Sequence, residues 1–311
     1  MADEKKIALW KRIAGYSAFS LFALITALFL TFPYETLKER LRIEADNAGY
    51  VLRIGSLGPG FFTLRGSDVK ISKKPTGAAD EKPPEALQLD SVSVGPALFP
   101  PGVAFSAKAF GGSVSGKVGG LTNISVKIDA DDVDLSKGNL KGFTGIDFSG
   151  IVGLNASLTM PRISVGGGPS EPDLGGATGN IVLETKGVSI NGGTANVVIP
   201  MYGAEPTPLD LPKIVFGDIV GKMKFDKGAG TIEEFRGKSS DLEVGITGTI
   251  KLAKALAYAE PNFEVRFKPD AEFQKRLGLI GSALSAVGSD PKDPNWRLGR
   301  LTGFMGKPNF R

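Results

Sequence analysis

The amino-acid sequence predicts a mainly β protein. One N-terminal transmembrane helix is followed by an elongated, curved antiparallel β-sheet, U-shaped in section, with short helices near both ends. Three observations carry this expectation. From Ile13 to Tyr34 no residue is charged. From Gly49 to Pro269 apolar residues recur with period two between glycine-rich turns, as in antiparallel strands with one buried and one wet face. Helical periodicity appears only in two short stretches that flank this body.

The uncharged run IAGYSAFSLFALITALFLTFPY is dominated by Ala, Leu, Phe and Ile. About 20 helical residues rise about 30 Å, the thickness of a hydrocarbon core. A cleaved signal peptide would need small residues at its end. The run instead closes on Phe29-Leu30-Thr31-Phe32-Pro33, which predicts an uncleaved anchor. Trp10 and Tyr34 stand at its ends as interfacial aromatics, and Lys11 and Arg12 flank it. Lys5, Lys6, Lys11 and Arg12 against Asp3 and Glu4 give the first twelve residues a net +2, half of the chain's +4. The positive-inside rule therefore puts this end in the cytoplasm and the remainder across the membrane. The expected organisation is a basic tail (1–12), a membrane helix (13–34), a juxtamembrane helix (35–48), a β domain (49–269), and a C-terminal helix with a last strand (270–311).

In the juxtamembrane stretch Leu37, Leu41, Ala45 and Ala48 recur at helical spacing, and Gly49 is its stop. The period then changes to two. Val244, Ile246, Ile250 and Leu252 share one face, as do Met223 with Phe225, and Phe263, Val265 and Phe267. These nine residues are the candidate apolar inner face. Residues 124–130 and 152–160 alternate in the same way. Turns are expected at Gly111-Gly112, Gly119-Gly120, Gly166 to Gly168, Gly192-Gly193 and Lys227-Gly228. Lys73 to Glu85 and Gly166 to Gly176 read as loops. A strand and its turn take roughly 14–18 residues, which allows on the order of 12–16 strands and a body roughly 60–75 Å long. Gly116, Gly221 and Gly248 fall among the inward residues, where small side chains let a curved sheet close on itself. A helix is expected from Asp270, its N-cap, to Val287, with Phe273, Leu277, Ile280, Leu284 and Val287 as its apolar stripe. Residues 296–301 alternate again as a last strand.

The chain has no His and no Cys. A histidine-based triad, a thiol nucleophile and a structural zinc site are excluded. The acidic run Asp129 to Asp134 invites a calcium reading. From Asp129, however, the sixth and twelfth positions are Asp134 and Leu140, and from Asp132 they are Lys137 and Phe143, where an EF-hand loop needs Gly and Glu. The run is read as a solvated turn. Glu233 and Glu234 are adjacent, so on a strand they face opposite ways and form no acid/base pair. The glycine clusters match neither phosphate-loop nor dinucleotide patterns. No catalytic, metal or cofactor residue is expected, and the charge distribution gives no nucleic-acid surface.

Several segments in order carry a family resemblance. They are the anchor ending Phe32-Pro33-Tyr34, the segment Leu57-Gly58-Pro59-Gly60-Phe61-Phe62-Thr63-Leu64-Arg65-Gly66, and Phe235-Arg236-Gly237-Lys238-Ser239-Ser240-Asp241-Leu242. The strand ending Gly248-Thr249-Ile250-Lys251-Leu252 and the closing Phe263-Glu264-Val265-Arg266-Phe267-Lys268-Pro269 complete the set. This order resembles the protein N component of type II secretion systems, in the form related to AsmA-like envelope proteins. The resemblance implies a bacterial inner-membrane protein with a periplasmic β domain and supplies no catalytic residues. The expected function is a non-enzymatic structural or assembly component of a secretion system, with other envelope proteins as partners. The alternative is an AsmA-like lipid-binding or lipid-transfer protein with an apolar groove.

Overall fold

A computed structural model describes residues 2–60, 62–74, 86–164, 171–198, 206–278, 281 and 287–310. Strands make up 62% of the chain, so the class is mainly β, with few and mostly short helices. Helix α1 (Ala2–Thr31) and helix α2 (Tyr34–Asn47) precede the sheet. The strands are β1 (Tyr50–Pro59), β2 (Leu64–Lys73), β3 (Leu87–Ala97), β4 (Gly102–Ala109), β5 (Gly112–Gly119) and β6 (Asn123–Asp134). After helix α3 (Leu140–Thr144) come β7 (Ile146–Ile163), β8 (Glu171–Pro172), β9 (Thr178–Val198), β10 (Pro206–Leu211), β11 (Ile214–Asp226), β12 (Ala229–Lys238), β13 (Leu242–Lys251) and β14 (Glu260–Pro269). Helix α4 (Ala271–Arg276) leads to β15 (Ser289–Asp290), β16 (Asp293–Phe304) and β17 (Lys307–Phe310).

Every ladder is antiparallel. The main order in space follows the chain: β1 to β7 consecutively, then β9, β11, β12, β13, β14, β16 and β17. The short β8, β10 and β15 lie against β7, β9 and β16. Such a meander arises because each strand is joined to the next by a short turn that reverses the chain. At Lys227-Gly228, for example, positive φ at both residues (46° and 77°) makes a two-residue hairpin turn whose twist matches the strands.

Helix α1 covers the uncharged run, and all of its described side chains are exposed. Among the described residues no helix is long and apolar enough to cross a membrane. Side chains 1–9, 21, 25 and 28–30 lie outside that description. Helix α2 ends where Gly49 turns to φ +83° and its N–H bonds the Asp46 carbonyl at 3.1 Å. Lys38 Nζ reaches the Gly55 carbonyl of β1 at 3.4 Å, which holds α2 beside the first strand.

The structure corrects several expectations. The acidic run 129–134 is not a turn. It is the end of β6, where the register shifts between Ala130 and Val133 and Asp132 takes φ 51°. Asp134 then caps a 3-10 turn over Leu135–Lys137. Its carboxyl is held below the ordinary range, first by the Ser136 hydroxyl and against some desolvation, then by the Ser136 N–H and Lys137. Glu233 and Glu234 do not face opposite ways. Met223 pairs with Ile232 while Lys222 pairs with Glu234, leaving Glu233 as the extra residue of a bulge. The apolar face passes from Ile232 to Phe235, and both glutamates lie off it. Helix α4 is shorter than expected: it stops at Arg276, Leu277 is its C-cap, and Gly278 turns to φ +55°, a left-handed conformation that ends the helical run; Ile280 and Leu284 lie among residues 279, 280 and 282–286, outside the description. Its cap is the expected one: Asp270 accepts from the Glu272 N–H at 2.9 Å. Phe273 and Leu277 are buried. The last strand is longer than 296–301, and β17, unforeseen, pairs with its end. Residues 75–85 and 165–170, which hold most of one expected loop and part of the other, lie outside the description. Gly192-Gly193 sits within β9 and is no turn.

Candidate functional site

The register aligns apolar residues into rows that cross the sheet. One row reads Pro59, Leu64, Val94, Phe105, Gly116, Ile128, Ala156, Ile181, Met223, Ile232 across ten strands. A second, two residues along, reads Pro96, Val103, Val118, Val126, Leu158, Gly179, Phe225, Gly230, Ile250, Pro261. The intervening row on the opposite face is polar: Lys117, Lys127, Ser157, Asn180, Lys224, Thr231, Thr249, Asn262. One face of the sheet is thus continuously apolar and the other carries the charge. Ion pairs such as Lys222–Glu234 (2.8 Å) and Arg300–Glu264 (2.7 Å) belong to partly exposed side chains and add little stability.

Glycines on the apolar face have a specific partner. Gly116 lies under the ring of its cross-strand neighbour Phe105, Gly221 under Phe235, and Gly230 under Phe225. A β-carbon at Gly221 would sit 3.2 Å from the Phe235 ring, and one at Gly230 would sit 2.6 Å from the Phe225 ring. The rings lie over the backbone instead of standing up from it.

The covering of this face is uneven. On the half formed by β6 to β14, 3-10 turns at Leu174–Gly176 and Leu256–Tyr258 adjoin the strand ends. There Met160, Ala177, Phe225, Ile250, Leu252 and Ala259 form the buried cluster, with Met223 and Phe263 packed against it. On β3 to β5 the same rows stay open: Val103 is 51% exposed and Val118 41%, against 4% for Phe225. At one end of this open half, Phe32, Tyr34, Phe62, Leu64, Val94 and Val103 line an almost wholly apolar cleft of about 280 Å³. At the other end the β6–β7 connection reaches β1, and Phe143 stacks on Tyr50 at 6.0 Å with Lys73 over the Phe143 ring. Flat strands would hold β1 and β6 about 24 Å apart.

The nine candidate inner residues lie on this apolar face. Ile250, Leu252, Phe225 and Phe267 are buried, and Val244, Ile246, Met223, Phe263 and Val265 are half-buried. Pairing brings Val244 to Phe267 and Ile246 to Val265. All nine come from the closed half or its continuation into β14. Leu64, Val94, Val103 and Phe105 of the open half were missed. In β3 the alternation runs Leu87, Leu89, then Val92, Val94, because a bulge between Leu89 and Ser91 switches its parity. Trp10, Lys11 and Arg12 are exposed on α1. Tyr34 opens α2, half-buried, its ring 5.1 Å from Phe32.

Among the described residues no group of three or more acidic, His or Cys side chains could hold a metal ion. The shifted groups belong to a cap and to ion pairs. The Lys292 N–H, against some desolvation and then with Arg266, keeps the buried Asp290 carboxyl low. Lys222 lowers Glu234 and is itself raised by it. No family model, curated protein or solved structure matches the chain.

Proposed function

We propose that this chain is a non-enzymatic, single-pass membrane protein whose sheet is rolled into a U-shaped trough that accommodates the acyl chains of lipid. The observation behind this reading is the open apolar face on β3 to β5, continuous by register with a buried core. An uncovered Val or Phe forgoes about 1.5–3 kcal/mol of burial, so a row of them favours an apolar occupant. Helix α1 is exposed as well. Its 30 residues rise about 45 Å, and side chains such as Tyr16, Phe19, Phe22 and Leu24 are two-thirds exposed or more. Together with the uncharged sequence from Ile13 to Tyr34, this favours a membrane anchor. With Lys11 and Arg12 on the cytoplasmic side, the trough lies in the periplasm of a bacterial inner membrane. No role for nucleic acid is proposed.

The test is lipid content. Full-length protein purified in mild detergent should carry phospholipid in defined stoichiometry, and Phe105→Asp, folded by circular dichroism, should carry less. Equal content in both, or none in either, would remove the trough reading.

A second reading is a structural or assembly role in a type II secretion system. It rests on the sequence resemblance and on one structural feature: among the described residues β1 is in register only with β2 and β17 only with β16, leaving edges on which a strand of another envelope protein could add. Loss of secretion on deletion, with no bound lipid, would favour it.

A further inference from the structure

The β1–β2, β3–β4 and β5–β6 turns lie at one end of the sheet, because Pro59 pairs with Leu64, Ala97 with Gly102 and Gly102 with Gly119. They are tied together. The Gly120 N–H bonds the Pro101 carbonyl at 3.0 Å, and a β-carbon on Gly95 would meet the Phe62 carbonyl at 2.9 Å. Their tips carry large apolar side chains turned to solvent: Phe99 is 87% exposed, Leu121 82%, Leu98 75% and Phe62 48%. The β4–β5 and β6–β7 connections, at the opposite end, differ. There Phe110, Leu135, Leu140 and Phe143 are all half-buried. The bare end is also where α1 gives way to α2, since Phe32 and Tyr34 line one cleft with Phe62 and Val103. Two cations stand just behind the tips. Lys117 Nζ donates to the Phe99 carbonyl at 3.0 Å, and Arg162 donates to the Gly120 carbonyl at 3.1 Å.

We propose that these hairpin tips insert into the bilayer surface from which α1 emerges, so that the open half of the trough meets the lipid directly. The occupant is lipid because the patch is continuous with the end of the anchor. Its layering also fits a membrane interface: apolar tips outermost, then cations at the depth of headgroup phosphates. Isolated exposed apolar residues are ordinary, but four on adjoining turns at one end form an interaction surface. The inference rests on the anchor reading of α1, and its test separates the two.

The chain has no Cys, so single cysteines can be labelled cleanly. Leu98→Cys and Leu121→Cys, each carrying an environment-sensitive nitrobenzoxadiazole dye, are reconstituted as full-length protein in phosphatidylethanolamine–phosphatidylglycerol vesicles. Phe22→Cys reports the anchor, and Lys137→Cys, exposed on the 3-10 turn at the far end, reports the body. The expected result is blue-shifted emission, quenched by nitroxide-bearing lipids, at positions 98, 121 and 22 and not at 137. Quenching at 22 with water-like emission at 98 and 121 would overturn the tip insertion and leave the anchor intact. Water-like emission at all four would remove the anchor reading and the insertion with it. Quenching at all four would show a body without this orientation and would equally overturn the insertion.

Discussion

Two phenylalanines hold equivalent places in the apolar lattice, each with its ring over a cross-strand glycine, yet they should differ in what they contribute to stability. Phe225 over Gly230 is 4% exposed and belongs to the buried cluster with Met160, Ile250 and Leu252. Truncation there removes a fully buried ring and leaves a cavity walled by strands and by the turn at 174–176, which have little freedom to collapse. Phe225→Ala should cost about 3–5 kcal/mol. Phe105 over Gly116 is only half-buried and stands on the open half, beside the exposed Val103. Its removal enlarges a space already accessible, so the cavity contribution falls away. Phe105→Ala should cost about 1–2 kcal/mol. The difference is measured by equilibrium urea unfolding of the full chain in detergent, followed by far-ultraviolet circular dichroism. Costs equal to within about 0.5 kcal/mol would show the face evenly covered and refute the open-half argument.

Other expectations concern particular contacts. Asp241 is buried and accepts from the Val215 N–H at 2.9 Å and from Arg276 at 2.6 Å, joining α4 to the β12–β13 turn. Arg276→Ala should destabilise by about 1–2 kcal/mol in the same assay, less than for a fully buried pair because the Arg276 side chain is 45% exposed. Asp241→Ala should cost more, since the Val215 N–H also loses its acceptor. Asp134 and Asp290 have lowered carboxyl values in the fold. Their contribution is therefore present above the unfolded carboxylate value of about 4 and is lost as pH falls through the lower folded values. The unfolding midpoint should hold from neutral pH to about 5 and decline below it, and Asp134→Asn with Asp290→Asn should flatten the decline. Gly228→Ala should destabilise by at least about 1 kcal/mol, measured by thermal unfolding, because φ is +77° and the new methyl would meet the Gly175 carbonyl.

Period-two alternation by itself determined the fold class, since a half-covered antiparallel sheet must write its two faces into alternate residues. It was most legible in β11, β13 and β14, where an apolar residue falls on nearly every second position from Met223 to Phe225, Val244 to Leu252 and Phe263 to Phe267. The start and stop of α2 were legible too, because Gly49 supplies a conformation that other residues take only with strain. Single-residue insertions hid the rest. At Leu89 to Val92 and again at Ile232 to Phe235 a bulge switches the parity, so the eye loses a face that the hydrogen bonds keep. Only the tertiary structure decided that the rows run in register from β1 to β12, because alignment between strands depends on pairing partners far apart in sequence. It alone also decided which half is covered. The segments that adjoin the buried cluster, Leu174–Gly176 and Leu256–Tyr258, are unremarkable glycine and alanine stretches whose position comes from where the strands deliver them. That Phe62, Leu98, Phe99 and Leu121 gather at the end where α1 terminates is likewise a property of hairpin direction: each turn reverses the chain, so alternate turns fall at the same end of the sheet.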